Sequence, residues 1–169
     1  YPLNRGAYHR AFHLLKGLAR DHRVDLLALA ENGEGAEHKS VFEEFCETVT
    51  VVPLQHPEWE KLFPKRLLNG LPSTISHWTV PVAADAIRKK IQEEKYDAVH
   101  VLDLVLVQFF LKELRKIPLV LDRTRVDLQY QLMERQHLNF SFKTRLLNFE
   151  NQAKLWRFEK AAAKRSALQ

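Results

Sequence analysis

Tyr96-Asp97-Ala98-Val99-His100-Val101-Leu102 is the stretch that decides the fold, together with Leu119-Val120-Leu121-Asp122 further along the chain. Both are short apolar runs, which predicts two buried strands. The residues between them, from Asp103 to about Lys116, predict a helix. Strands joined through a helix need a crossover connection, so we expect these two strands to run parallel in one sheet.

The same alternation of helix and strand extends toward the amino terminus. Apolar residues recur at intervals of three and four in the predicted helices and form short continuous runs in the predicted strands. This pattern is typical of the α/β class, and we expect a Rossmann-like three-layer domain whose helices cover both faces of a parallel sheet. In chain order the predicted elements are a helix Ala7–Ala19, a strand Arg23–Ala30, a helix Ala36–Cys46, a strand Thr48–Val52 that Pro53 ends, and a helix Val82–Glu94.

The remaining segments complete a single predicted domain covering residues 1–169. Residues 55–81 are rich in proline and aromatic residues, which indicates a loop, with one short helix near Leu62–Leu68. Residues 127–169 have helical propensity with a break near Asn139–Ser141, and Leu146, Phe149, Ala153 and Trp156 recur there on one helical face. No internal repeat or flexible linker divides the chain.

The composition of the chain bears on the cellular compartment of this domain. No apolar run approaches the roughly 20 residues that a membrane-spanning helix needs. The single cysteine, Cys46, excludes an internal disulfide, and the first residues lack a signal-peptide pattern, so we expect a cytoplasmic protein.

The net charge of +5 is concentrated in the last part of the chain. The segment Lys143–Gln169 has seven lysines and arginines and two glutamates, so it accounts for the whole positive excess. Charge of this kind on a helix predicts a solvated helical face. Contact with an anionic surface at the inner membrane, through Lys143–Arg165, is the partner hypothesis, whereas nucleic acid is not expected because no recognition motif accompanies the charge. The basic residues are Lys143, Arg145, Lys154, Arg157, Lys160, Lys164 and Arg165.

Candidate ligand-binding residues follow the predicted strands, because open parallel sheets bind ligands at the carboxyl ends of their strands. Asp103 and Asp122 end neighbouring strands and either face one crevice or serve as helix caps and turn residues. His100 is either a core histidine or a ligand contact. His9 and His13 have a spacing that can chelate a metal ion, but no further ligand pattern completes a site, so no metal is expected.

Phosphate-binding motifs are weak in this sequence. Neither a dinucleotide-binding glycine pattern nor a P-loop is present. Asn4-Arg5-Gly6-Ala7 is the only segment suited to close approach of a ligand, because Gly6 lets the backbone come near a bound group and the following helix amino terminus favours an anion such as a diphosphate.

Several of these segments, taken in order, resemble the amino-terminal domain of family 4 glycosyltransferases, which have the two-domain GT-B fold. The resemblance covers essentially the whole chain, and its motifs are individually loose but agree in order and spacing. The segments that carry it are Tyr1–Leu15, Arg23–Leu29, Tyr96–Val101, Val120–Asp122 and Lys154–Ala161.

The resemblance implies an enzyme that transfers a sugar, with retention and without a metal ion or other cofactor, from a nucleotide-sugar donor to a carbohydrate or lipid-linked acceptor. In such enzymes this domain mainly binds the acceptor, here with His100, Asp103, Asp122, Arg123 and Arg125. The glycine loop, here Arg5, Gly6 and Ala7, approaches the donor phosphates. The second domain, which holds most of the donor site, is absent from the sequence, so the fragment alone is expected to be inactive and its catalytic residues are not assigned.

The family pattern also implies a strand before Tyr1, central in the sheet, and a sixth strand after Gln169, and neither is in the sequence. Relatives often have two adjacent glycines in the donor loop, where this chain has Gly6 alone. They also often have an acidic-His-Asn run where this chain has Arg123-Thr124-Arg125, and these arginines suit an anionic acceptor. The alternative is a freestanding flavodoxin-like domain that binds a small ligand or a protein. Such a domain has a complete sheet of its own.

Overall fold

The computed structural model describes residues 6–31, 36–54, 68–111, 117–123, 125–135 and 140–166. The chain divides into two compact units, Tyr1–His56 with Val80–Glu93, and Pro57–Thr79 with Glu94–Gln169. Among the described residues each unit has one pair of parallel strands together with helices, which confirms the α/β class.

The first unit is built on strands β1 (Asp25–Glu31) and β2 (Thr48–Leu54), which pair in parallel from Asp25 opposite Thr48 to Glu31 opposite Leu54. The strand β2 continues through Pro53, where the sequence predicts its end. Proline lacks an amide hydrogen and is tolerated on an edge strand, and β2 pairs only with β1 among the described residues.

Three helices accompany these strands: α1 (Gly6–Leu18), α2 (Lys39–Glu43) and α4 (Pro81–Glu93). The predicted helix over Ala36–Cys46 is shorter in the structure, where a 3-10 turn over Ala36–His38 precedes α2. Edge-to-face contacts join Phe12 of α1 to Phe42 and Phe45, with ring centroids 5.8 and 5.6 Å away. Aromatic packing therefore holds the amino-terminal helix against the segment before β2.

The second unit contains β3 (Val99–Leu102) and β4 (Leu119–Asp122), which pair in parallel with Leu102 opposite Asp122. A 3-10 helix over Leu104–Phe110 stands where the sequence predicts an α-helix from Asp103 to Lys116, and residues 112–116 lie outside the described residues. Leu104, Val107 and Phe110 point into the core at steps of three, the period of a 3-10 helix.

Helices α3 (Ser73–Ser76), α5 (Asp127–Arg135) and α6 (Phe142–Arg165) complete this unit. The helix α3 lies in the region that the sequence predicts to be a loop, and the helix predicted near Leu62–Leu68 falls almost entirely outside the described residues. Ser141 begins α6 by accepting a hydrogen bond from the Thr144 amide. The predicted break between two late helices is therefore confirmed.

The buried side of α6 differs from the face that the apolar spacing suggests. Leu146, Phe149 and Trp156 are 60%, 70% and 54% exposed, whereas the opposite face of the helix enters the core. Steps of three and four also connect the buried residues, so both faces satisfy the helical period and spacing alone cannot select between them. The buried set is Asn151, Leu155, Phe158 and Ala162.

Candidate ligand-binding site

The carboxyl ends of β3 and β4 bring together Asp103 and Asp122, as the strand pattern predicts. The Asp103 amide donates a 3.0 Å hydrogen bond to the Asp122 carbonyl, which extends the ladder one residue beyond β3. Two carboxylate-bearing residues therefore stand side by side at the edge of the sheet where open α/β folds bind ligands.

Asp103 changes the direction of the chain at this edge. Its backbone has φ 95° and ψ 143°, a left-handed conformation that side chains other than glycine rarely adopt. The Asp103 carboxylate accepts a 3.3 Å hydrogen bond from the Val105 amide and caps the following 3-10 helix. Asp103 therefore does serve as a cap, but its side chain is exposed at the sheet edge.

His100 lies earlier in β3, opposite Val120. Its side chain is exposed, so the core interpretation of this histidine is wrong, while the buried Val101 faces the other side of the strand pair. Side chains alternate along strands, so His100 and Asp122 lie on the same face of this sheet.

Arg123 is engaged within the second unit. Its Nη2 donates to Glu159 of α6 and, at 3.4 Å, to Asp127 at the start of α5. Glu159 also accepts a 3.2 Å hydrogen bond from the Leu128 amide, so one carboxylate joins the end of β4, the first turn of α5 and α6. This network fixes the segment that follows β4.

Arg125 is the more accessible of the two predicted arginines, with 55% of its side chain exposed. Its Nε donates a 3.0 Å hydrogen bond to Asp127, and its guanidinium carbon lies 4.4 Å above the Tyr130 ring. The hydrogen bond to Asp127 raises the pKa of Arg125 most, and the charges of Asp127, Asp103 and Tyr130 raise it further against the effect of burial. Arg125 therefore stays cationic.

The predicted donor-phosphate loop lies in the first unit and is only partly described. Gly6 and Ala7 are the first residues of α1 and are exposed, while Arg5 falls outside the described residues. A methyl group placed on Gly6 would meet no atom within 4 Å, so the surroundings of Gly6 are open. The loop's role in phosphate binding stays a prediction.

The histidines of α1 stack on each other, with the His9 and His13 ring centroids 4.5 Å apart. Within the described ranges, no three His, Cys, Asp or Glu side chains gather as a metal site would require. His13 and His22 also line an open depression at the end of α1, which includes none of the predicted ligand-binding residues.

Two polar clusters of the described residues, one part-buried and one around the buried Asn151, are not predicted by the sequence pattern. Asp25, Thr48 and Lys90 connect the amino ends of β1 and β2 to α4. Asn151, 2% exposed, accepts hydrogen bonds of 2.7 and 2.9 Å from the Ser73 amide and hydroxyl at the start of α3. In each cluster the sequence shows a polar residue within a mostly apolar element, but it does not show which residue that polar group bonds to.

No helix in the described part of the chain is both long and apolar enough to cross a bilayer. Comparison with protein-family models, with curated proteins and with solved structures gives no match.

Proposed function

We propose that the chain is the acceptor-binding, Rossmann-like half of a GT-B glycosyltransferase of the family 4 type. The parent enzyme would transfer a sugar, with retention and without a metal ion or other cofactor, from a nucleotide-sugar donor to a carbohydrate or lipid-linked acceptor. The proposal rests on the order of the sequence motifs and on one structural observation: Asp103 and Asp122 adjoin at the carboxyl edge of two parallel strands.

The chemistry of this edge suits a sugar acceptor. Carboxylates accept hydrogen bonds from hydroxyl groups, so Asp103 and Asp122, whose backbones are joined by a hydrogen bond, each offer an acceptor for the hydroxyl groups of a sugar. Arg125 adds an exposed cation to the segment after β4, which suits an acceptor carrying phosphate or carboxylate. In this proposal Arg123 also positions the segment after β4, because its Nη2 donates to Glu159 and Asp127.

The finer fold assignment belongs to the same proposal. Each of the four described strands pairs with one neighbour only, so every strand has an edge that the described residues leave unpaired. A half GT-B fold requires further strands on such edges, because its parallel sheet is continuous. The flavodoxin-like alternative requires those strands within the chain itself.

The reading frame around this sequence gives the first test. The proposal requires an apolar strand before Tyr1, and after Gln169 a strand leading to a second α/β domain with a basic pair and two glutamates seven residues apart. A frame that ends at Gln169 contradicts it and favours the freestanding binding domain.

An activity test uses the product of that full reading frame. Release of nucleoside diphosphate from UDP-glucose and GDP-mannose would be measured with a set of neutral and phosphorylated saccharide acceptors. Asp103→Asn and Asp122→Asn should each lower kcat/KM by about tenfold or more, the loss typical of a charged hydrogen-bonding partner. Asp97→Asn is the matched control, because Asp97 is an exposed aspartate that precedes β3 at its other end. Equal effects of all three variants would refute the assigned site.

A further inference from the structure

The helix α6 has apolar residues on two opposite faces. One face is buried, with Leu155, Phe158 and Ala162 between 0% and 5% exposed. The second is an outer stripe spaced at steps of four and three, a spacing that aligns side chains along one side of a helix. The outer stripe consists of Phe142, Leu146, Phe149, Ala153 and Trp156, and all five are exposed, Phe142 to 83%.

A surface helix of a globular protein normally buries one apolar face and turns polar residues toward water. Single exposed apolar residues are ordinary, but a continuous stripe of three aromatics and a leucine marks a surface that contacts another phase or molecule. From Phe142 to Trp156 the stripe extends about 21 Å along the helix. Its length and aromatic content indicate an interaction surface.

Positive charge surrounds the outer stripe. Arg145 and Arg157 lie about 60° to either side of its centre line, and Lys160 and Lys164 continue the line toward the end of α6. All four are exposed, and the Lys160 ammonium stands 5.1 Å from the centroid of the Trp156 ring. The apolar line is therefore bordered by cations.

The nearby carboxylates do not neutralise these cations. Glu150 pairs with Lys154 one turn away, and Glu159 accepts hydrogen bonds from Arg123 and the Leu128 amide. The described residues place no carboxylate within 4.0 Å of Arg145, Arg157, Lys160 or Lys164. The surface that includes the outer stripe thus carries net positive charge.

We propose that the outer stripe of α6 binds an anionic lipid bilayer, with the helix lying in the plane of the membrane surface. Phe142, Leu146, Phe149 and Trp156 enter the boundary between headgroups and acyl chains, and the flanking cations contact lipid phosphates, an arrangement typical of interfacial amphipathic helices. A second copy of the chain fits poorly, because two such faces would bring like charges together. This surface does not depend on the proposed transferase activity.

The test is cosedimentation of the 169-residue chain with vesicles of phosphatidylcholine alone or mixed equally with phosphatidylglycerol. We expect binding to the anionic vesicles only, weakening as NaCl increases from 50 to 500 mM. Arg157→Gln and Lys160→Gln should each weaken binding about fivefold, the effect of one basic residue near such a membrane. Phe149→Ser should weaken it at least tenfold, because burial of a phenyl ring is lost.

Matched controls use residues away from the outer stripe. Lys89→Gln in α4 removes an exposed lysine, and Met133→Ser in α5 removes an apolar side chain that is 59% exposed. Both should bind anionic vesicles as the unaltered chain does, with unchanged circular dichroism in every variant. Equal binding to neutral vesicles, equal losses in stripe and control variants, or no vesicle binding at all would overturn the proposal. A dimer seen by sedimentation velocity and abolished by Phe149→Ser would also overturn it, in favour of a second copy.

Discussion

Asp103 combines backbone strain with a capping hydrogen bond at the edge of the proposed acceptor site. Its φ of 95° is unfavourable for any residue with a Cβ atom, while its carboxylate caps the 3-10 helix through the Val105 amide. Strain of this kind persists only where surrounding structure enforces it. Here the Asp103 amide is held by its hydrogen bond to the Asp122 carbonyl, and the next residue, Leu104, is buried in the core.

Replacing Asp103 separates the two effects. Asp103→Ala loses the cap but keeps the strain, and should lower the free energy of unfolding by about 1 kcal/mol. Asp103→Gly loses the carboxylate but relieves the strain, so it should be more stable than the alanine variant by about 1 kcal/mol or more. Urea denaturation of both variants checks this difference. Equal stabilities would mean that the left-handed conformation costs nothing.

Lys90 supports a buried carboxylate in the first unit. Its Nζ lies 3.3 Å from an oxygen of Asp25, which is 6% exposed, and it donates a 2.8 Å hydrogen bond to the Thr48 hydroxyl. The Thr48 hydroxyl in turn donates at 2.7 Å to Asp25. Removal of the cation would take away the ammonium group that faces an Asp25 side chain only 6% exposed.

We therefore expect Lys90→Met to lower the free energy of unfolding by about 1 to 3 kcal/mol, the loss typical of a partly buried, charged hydrogen-bonding partner. The neighbouring Lys89 is 75% exposed and contacts only Glu93 among described carboxylates, so Lys89→Met should change stability by about 0.5 kcal/mol or less. Thermal denaturation followed by circular dichroism compares the two. Similar losses would show that the Asp25 site is not shielded from solvent.

Among the secondary-structure elements, the sequence predicts best those whose apolar pattern fits only one type of element. The strand Leu119–Asp122 is confirmed to the residue, and the late helices and the break between them are confirmed. The 3-10 helix over Leu104–Phe110 was not predicted, because its type depends on the tertiary contacts of Leu104 and Val107 rather than on propensity. For the candidate site, the predicted strand ends place Asp103 next to Asp122, whereas the partners of Arg123 lie 4 and 36 residues away along the chain and are visible only in the fold.

The two faces of α6 provide the corresponding test at this scale. Leu155 is fully buried and Phe149 is 70% exposed, although both belong to apolar sets with helical spacing. Leu155→Ala should lower the free energy of unfolding by about 2 to 5 kcal/mol through a cavity, and Phe149→Ala should change it by about 0.5 kcal/mol or less. Urea denaturation distinguishes the faces. A larger loss for Phe149→Ala would reverse the assignment and place the outer stripe in the core.

At the scale of the whole molecule, the sequence predicts one domain, whereas the chain contacts divide into two compact units. Each unit has a single parallel strand pair among the described residues. Two strands rarely form a stable sheet alone, and parallel strands need cover on both faces. The described strand pair of each unit is therefore too small to fold independently by the usual requirements. We expect the chain to unfold in one cooperative transition.

Tryptophan and cysteine residues report on unfolding of different units, so the expected single transition can be tested. The two described tryptophans, Trp78 and Trp156, belong to the second unit, and Cys46 belongs to the first. Cys46 is 6% exposed, and burial, followed by the charge of Asp25, raises the pKa of its thiol, so iodoacetamide should react with it slowly until the first unit unfolds. Tryptophan fluorescence and Cys46 labelling should then give the same urea midpoint.

Lys90→Met tests the coupling, because it weakens the first unit alone while tryptophan fluorescence reports on the second. A cooperative chain transmits the loss, so the fluorescence midpoint should fall together with the labelling midpoint, and Lys89→Met should move neither. If Lys90→Met exposes Cys46 at urea concentrations where the fluorescence is still native, the units unfold separately. The single-domain prediction would then be wrong, since each unit would hold enough stability of its own despite its single strand pair.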